Sequence, residues 1–337
     1  MAHGTQSQVR RIIVKSEILK KNLLGDPTER EVAIYLPPNY QEDQHYPLLM
    51  GLAPYNSSGL AYVDWKPFNG SLVHRLDRLI TSNMMSPMIV VFPDCFTRLG
   101  GNQYINSSAV GLYEDYLIQE VLPAVESCFN TGGFGHRGCF GKSSGGFGAL
   151  THGMRHPDIW SAIVSHSGGM GFEWLFSCYV PQILYELSKH GSSIEKFFQH
   201  IEQKPKLTDA EFLCLMNLSF AAAYDPDPSQ FLGIRLPVDL YTAELIPERW
   251  ANWQKCDPSL AVEKFVDNMK KLKGIFIDCG DRDQYHLHYG ARRLHRILEE
   301  NDISHIYEEF PDNHTNLDYR FDISLSFLSK VLTGHPK

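Results

Sequence analysis

Short apolar runs alternate along the chain with stretches in which apolar residues recur every three or four positions. Eight runs read as strands, at residues 9–19, 31–36, 46–53, 88–92, 137–140, 162–165, 274–278 and 305–309. The first two flank the turn-rich Gly25-Asp26-Pro27 and predict an antiparallel opening pair. The middle runs are short and almost wholly apolar, as strands covered on both faces are. Three-and-four periodicity predicts helices over 113–128, 146–155 and 284–301, with a last helix starting near Asp322. Strands alternating with helices predict a mostly parallel sheet covered on both faces, an α/β fold.

One interval breaks this rhythm. Between the sixth and seventh strands lie about a hundred residues where one crossover helix would suffice. Helical patterns over 181–190, 194–203, 208–223 and 258–271 fill it, joined by turns such as Asp225-Pro226-Asp227-Pro228. The expected division is a core of residues 1–170 and 265–337, with a helical cap at 171–264 inserted after the sixth strand. The aromatic residues of the cap, among them Phe172, Trp174, Phe176, Tyr179, Tyr224 and Trp253, suit either a pocket wall or the cap's own core.

Composition narrows the function. The 337 residues carry a net charge of −8, and no Lys/Arg block is present to neutralise a row of phosphates, which argues against a nucleic-acid partner. No apolar run reaches the roughly 18 residues that span a bilayer. The N-terminus reaches Arg10 and Arg11 without an apolar segment, so no signal peptide is expected. Seven scattered cysteines without a C-x-x-C pair fit reduced thiols in the cytoplasm rather than a zinc site.

The sharpest chemical signal is Gly141-Lys142-Ser143-Ser144-Gly145-Gly146, between a predicted strand and a predicted helix. This is the G-x-S-x-G nucleophile elbow in its strand-to-helix setting. A serine hydroxyl attacks only when a base takes its proton, and the base needs a carboxylate to fix its tautomer. In this arrangement the acid follows the seventh strand and the histidine the eighth. Asp283, in Gly280-Asp281-Arg282-Asp283, and His314, in Pro311-Asp312-Asn313-His314, stand at those places. Asp281 is the next candidate acid, and Asp278 lies inside the strand.

The oxyanion needs two backbone donors. Ser144 N–H follows the nucleophile; the loop 53–59 supplies the other, and since Pro54 has no N–H, Tyr55 is expected, with Asn56 behind it. Lys142 is a candidate for meeting an acidic substrate group. His286 and His288 have no accompanying carboxylate at ligand spacing, so no metal is expected. His152 and His156 read as cations near a helix C-terminus, and His166 and His305 as core or surface residues.

These residues resemble the putative-esterase, or esterase D-like, branch of the α/β-hydrolases, which includes S-formylglutathione hydrolases and feruloyl, acetylxylan and enterochelin esterases, with mycolyltransferases. The resemblance runs through 32–168 and 274–328 and rests on YLPPNY (35–40), the stretch 92–104, YEDYL (113–117), GKSSGGFGAL (141–150) and MRHPDIW (154–160). It implies an eight-stranded α/β-hydrolase sheet, with the family's nucleophile on Ser143, its acid on Asp283 and its histidine on His314. The chain differs at Pro54, where the family often has glycine, and its cap matches no member's. The implied activity is hydrolysis of a small-molecule acyl ester or thioester through an acyl-enzyme, without a cofactor. The alternatives are acyl transfer from the same intermediate and a non-catalytic binding protein. Oligomeric state is not legible, and a homodimer is compatible with the sequence.

Overall fold

A computed structural model describes residues 6–67 and 70–334. Residues 1–5, where the absence of a signal peptide was in part judged, lie outside the described residues. Eight strands form one sheet: β1 (Gln8–Lys15), β2 (Glu29–Leu36), β3 (Leu48–Leu52), β4 (Ile89–Pro93), β5 (Arg137–Lys142), β6 (Ala162–His166), β7 (Gly274–Gly280) and β8 (Ile306–Phe310). Their spatial order is β1-β2-β4-β3-β5-β6-β7-β8. β1 pairs antiparallel with β2 and β2 with β4, and every later pair is parallel. The strand expected to run to residue 19 stops at Lys15, because Ile18–Lys21 turns into a 3-10 helix that buries Leu19.

The central strands are apolar on both faces because each face has its own helical cover. In β4, Val91 belongs to one core while Val90 and Phe92 belong to the other. Among the described residues, the longer helices are α1 (Leu72–Thr81), α2 (Leu122–Cys128), α3 (Ser144–Arg155), α4 (Val180–Ser188), α5 (Ile194–Ile201), α6 (Asp209–Tyr224), α7 (Pro247–Cys256), α8 (Leu287–Glu300) and α9 (Phe321–Thr333). Leu76 and Leu79 of α1 and Leu325 and Leu328 of α9 cover one face. Val125 of α2, Leu150 of α3 and Leu294 and Leu298 of α8 cover the other.

Two helical expectations need correction. The 113–128 run is helical throughout but widens to a π-helix at Tyr116–Val121, directly before α2. Pro123 explains this, since its ring has no N–H and crowds the carbonyl four residues back. The run 258–271 is three short turns, Pro258–Ala261, Val262–Lys264 and Val266–Met269. Phe265, at φ −120° and ψ 17°, interrupts the i→i+4 ladder there. Helices α1 and α7 were not anticipated.

Between β6 and β7 the chain forms α4 to α7. Helix α6 begins at a reciprocal cap in which Thr208 and Glu211 bond each other's backbone N–H groups. It is buried on nearly all sides. The aromatic residues in this segment mostly form its core: Phe172 stacks on Tyr224 at 4.7 Å, and Phe176 lies 4.6 Å from Trp253. The same apolar cluster continues through Phe147 of α3, so the inserted helices share the core of the sheet.

Candidate active site

The site starts with a backbone strain. Ser143 sits between β5 and α3 at φ 57° and ψ −121°, a region that L-residues rarely occupy. This conformation points the side chain out over the carboxyl edge of the sheet, and the two flanking glycines make it sterically feasible. A Cβ on Gly145 would lie 2.0 Å from the Leu52 carbonyl oxygen, and one on Gly141 would lie 2.4 Å from the backbone of Gly145. The elbow is held by Ser143 N–H donating to the His166 carbonyl at 2.9 Å.

The loops after β7 and β8 deliver the other two groups. His314 Nε2 is 2.9 Å from Ser143 Oγ, and His314 Nδ1 is 2.7 Å from Asp283 Oδ2. The Asp283 side chain is fully buried, and its Oδ1 accepts Tyr285 N–H at 2.9 Å. Gln284 Oε1 accepts His314 N–H at 3.0 Å, and the Tyr285 ring stands edge-on to the imidazole at 4.9 Å. In this geometry Nδ1–H donates to the carboxylate and Nε2 is left to accept the serine proton. Asp281 is exposed and pairs with Arg282.

Ser143 opens onto a cavity of about 290 Å³. Tyr55, Asn56 and Ser144 line it beside Ser143. The Tyr55 hydroxyl donates to the Leu99 carbonyl at 2.5 Å and its ring packs on Gly100, which fixes the loop that carries its N–H. The apolar wall comes from Phe212, Met216 and Phe220 of α6, none of which the sequence singled out, together with Tyr224. Only the folded position of α6 distinguishes these side chains from ordinary core residues.

Several other expectations change. Lys142 is not free for a substrate acid: its Nζ is 2.7 Å from Asp318 Oδ1, and Lys66 meets the other oxygen at 3.1 Å. Among the described residues no group of three or more His, Cys, Asp or Glu side chains is placed to hold a metal ion. His152, read as a cation near a helix C-terminus, is instead fully buried, donating from Nε2 to the Tyr104 carbonyl and accepting Trp160 N–H at Nδ1. His156 pairs with Glu114 at 2.6 Å.

Burial pushes the His152 pKa down from 6.5 to about 4. The unfolded chain therefore binds a proton that the folded one refuses, and the stability this residue contributes is intact above 6.5 and lost as pH falls toward 4. By pH 5 the loss is about 2 kcal/mol. Glu114, held down at about 2 although burial alone would raise it, loses its share only below its ordinary 4.5. Urea unfolding at pH 7.5 and pH 5 is expected to show a smaller acid loss in His152→Gln than in the parent. Equal losses would refute the assignment.

A second serine–histidine–aspartate string lies beneath the first. His166 Nδ1 is 2.7 Å from Asp278 Oδ1 and its Nε2 is 2.8 Å from Ser324 Oγ, while Asp278 Oδ2 accepts from Arg320 Nε at 2.7 Å. The side chains of His166 and Asp278 are sealed from solvent, so this string has no path to a substrate. It ties β6 and β7 to α9 and to the turn before it, below the loop that carries His314. His166 is thus a core residue, and Asp278 is a structural acid.

A strained serine at the strand–helix turn of a β1-β2-β4-β3-β5-β6-β7-β8 sheet, with its acid and histidine following in chain order, defines the class as an enzyme of the α/β-hydrolase type. The sequence profile of the putative esterase family matches residues 27–325, and the chain belongs to that family. Solved structures with the same fold include a ferulic acid esterase (19% identity, 97% of this chain and 99% of that one, TM-score 0.64). The fluorophosphonate-binding serine hydrolase F of Staphylococcus aureus is similar over 96% of this chain and 99% of its own, at 13% identity and TM-score 0.59. The S-formylglutathione hydrolase of the same organism covers 96% and 100%, at 14% identity and TM-score 0.57. No curated protein matches the sequence. Among the described residues no helix is long and apolar enough to cross a membrane.

Proposed function

We propose that this esterase-family enzyme hydrolyses a small acyl ester or thioester through an acyl-enzyme on Ser143. His314 takes the Ser143 proton during attack and returns it to the leaving group, and Asp283 orients the ring and stabilises its cation. The N–H groups of Ser144 and Tyr55 receive the oxyanion, and water then releases the acid by the same relay. Residues 171–264 act as a cap over a core of 1–170 and 265–337, and the enzyme works in the cytoplasm on a small-molecule substrate.

The observation that carries this reading is the continuous relay of 2.9 Å and 2.7 Å through the two nitrogens of His314. The α6 side chains on the cavity wall support the role of the cap, since an apolar wall excludes water from the developing charge and strengthens each hydrogen bond to it. Incubation with a fluorophosphonate followed by peptide mapping is expected to place the label on Ser143 alone. A label elsewhere, or none, would overturn the reading.

A further inference from the structure

Among the side chains that line the cavity is a short string of buried polar groups that the relay does not use. Gln103 Nε2 donates to Ser144 Oγ at 2.9 Å, and Gln103 Oε1 accepts from the Tyr224 hydroxyl at 3.0 Å. All three residues are buried and all three line the cavity. The Tyr224 ring is stacked between Phe172 at 4.7 Å and Phe220 at 5.6 Å, so its hydroxyl is fixed toward Gln103.

Counting donors shows what remains. The Tyr224 proton is used on Gln103, and Ser144 Oγ accepts one amide hydrogen, which leaves the Ser144 hydroxyl proton and the second Gln103 amide hydrogen unspent. A polar hydrogen facing an apolar cavity without a partner is costly, and a ligand that accepts it recovers that cost. Of the other polar side chains on the wall, Lys142 is paired with Asp318, and Gln284 Oε1 accepts from the backbone of His314. With Lys142 neutralised by Asp318, the acceptor that fits is uncharged.

Position along the substrate follows from covalent geometry. Ser144 Oγ is three bonds from the backbone nitrogen of its own residue, so it lies within about 4 Å of it whatever its rotamer. That nitrogen is the one assigned to the oxyanion, so Oγ reaches an atom only two or three bonds from the carbonyl carbon. We propose that Ser144 Oγ, held by Gln103 and Tyr224, is a subsite for a neutral oxygen on the acyl chain close to the scissile carbonyl, and that the enzyme prefers alkoxy- or oxo-substituted short acyl groups to plain hydrocarbon ones. The proposal rests on the acyl-enzyme reading above.

The test uses p-nitrophenyl methoxyacetate and p-nitrophenyl butyrate, which differ by an ether oxygen in place of one methylene. Their difference in intrinsic reactivity is the same for every variant and cancels when ratios of kcat/KM are compared. Ser144→Ala, which keeps the backbone N–H, is expected to lower the methoxyacetate-to-butyrate ratio roughly fivefold, the size of one neutral hydrogen bond. Gln103→Leu, which frees the hydroxyl to rotate, is expected to lower it in the same direction. An unchanged ratio in both variants, with both esters still turned over, overturns the subsite alone. Absence of turnover together with absence of fluorophosphonate labelling at Ser143 overturns the hydrolase reading and the subsite with it. Labelling without turnover of either short ester also counts against the subsite.

Discussion

Ser143→Ala is expected to lower kcat for an ester substrate by roughly 10⁴ to 10⁶, with little change in the melting temperature. The hydroxyl is the only group of that side chain with a role, and alanine keeps the Cβ that already fits the strained turn. His314→Ala is expected to cost about as much, because a serine without its base is as inert as no serine. Asp283→Asn is expected to cost less, about 10⁴, since the base survives but its preferred tautomer does not. Because the three side chains act as one relay, Ser143→Ala/His314→Ala is expected to be no slower than either single variant. Steady-state kinetics on the four purified variants checks this. Multiplying losses, or a His314→Ala variant that retains most of its rate, would show that residue 314 is not the base.

The second large effect separates neighbouring acids by role. Asp278→Ala is expected to destabilise the fold by about 3–5 kcal/mol, because it leaves the His166 ring buried without its acceptor and the Arg320 guanidinium with Glu308 alone. For a chain of this size that is a drop of about 4–7 °C in melting temperature. Both oxygens of Asp278 are bonded, and its side chain has no exposure. Asp281→Ala, at an exposed carboxylate paired only with Arg282, is expected to move neither stability nor rate appreciably. Calorimetry and kinetics on Asp278→Ala, Asp281→Ala and Asp283→Asn together give three distinct outcomes. If Asp278→Ala melts with the parent, the buried string does not hold the sheet to α9.

These three aspartates also mark how far sequence could be read. A strand followed by Gly280-Asp281-Arg282-Asp283 places the candidate acids in one turn, and ranking by reach over the sheet edge favours Asp283, the one that meets His314. What separated Asp278 as structural was its partners, His166, Ser324 and Arg320, which come from three other elements. Nothing local in the chain announces that pairing. His152 shows the reverse problem: helix position made it read as a cation near a helix C-terminus, and only the packing of Trp160 and Tyr104 against it removes it from solvent.

The chain by itself determined the alternation of strands and helices, the elbow at Ser143 and the order of acid and histidine, because periodicity, glycine requirements and turn position are local consequences of residue type. Tertiary structure alone decided which helix faces became cavity wall and which became core, that Lys142 is neutralised by Asp318, and that Gln103 meets Ser144 and Tyr224. Those outcomes depend on contacts between residues tens to hundreds of positions apart, and a buried polar group declares its role only through the partner that satisfies it.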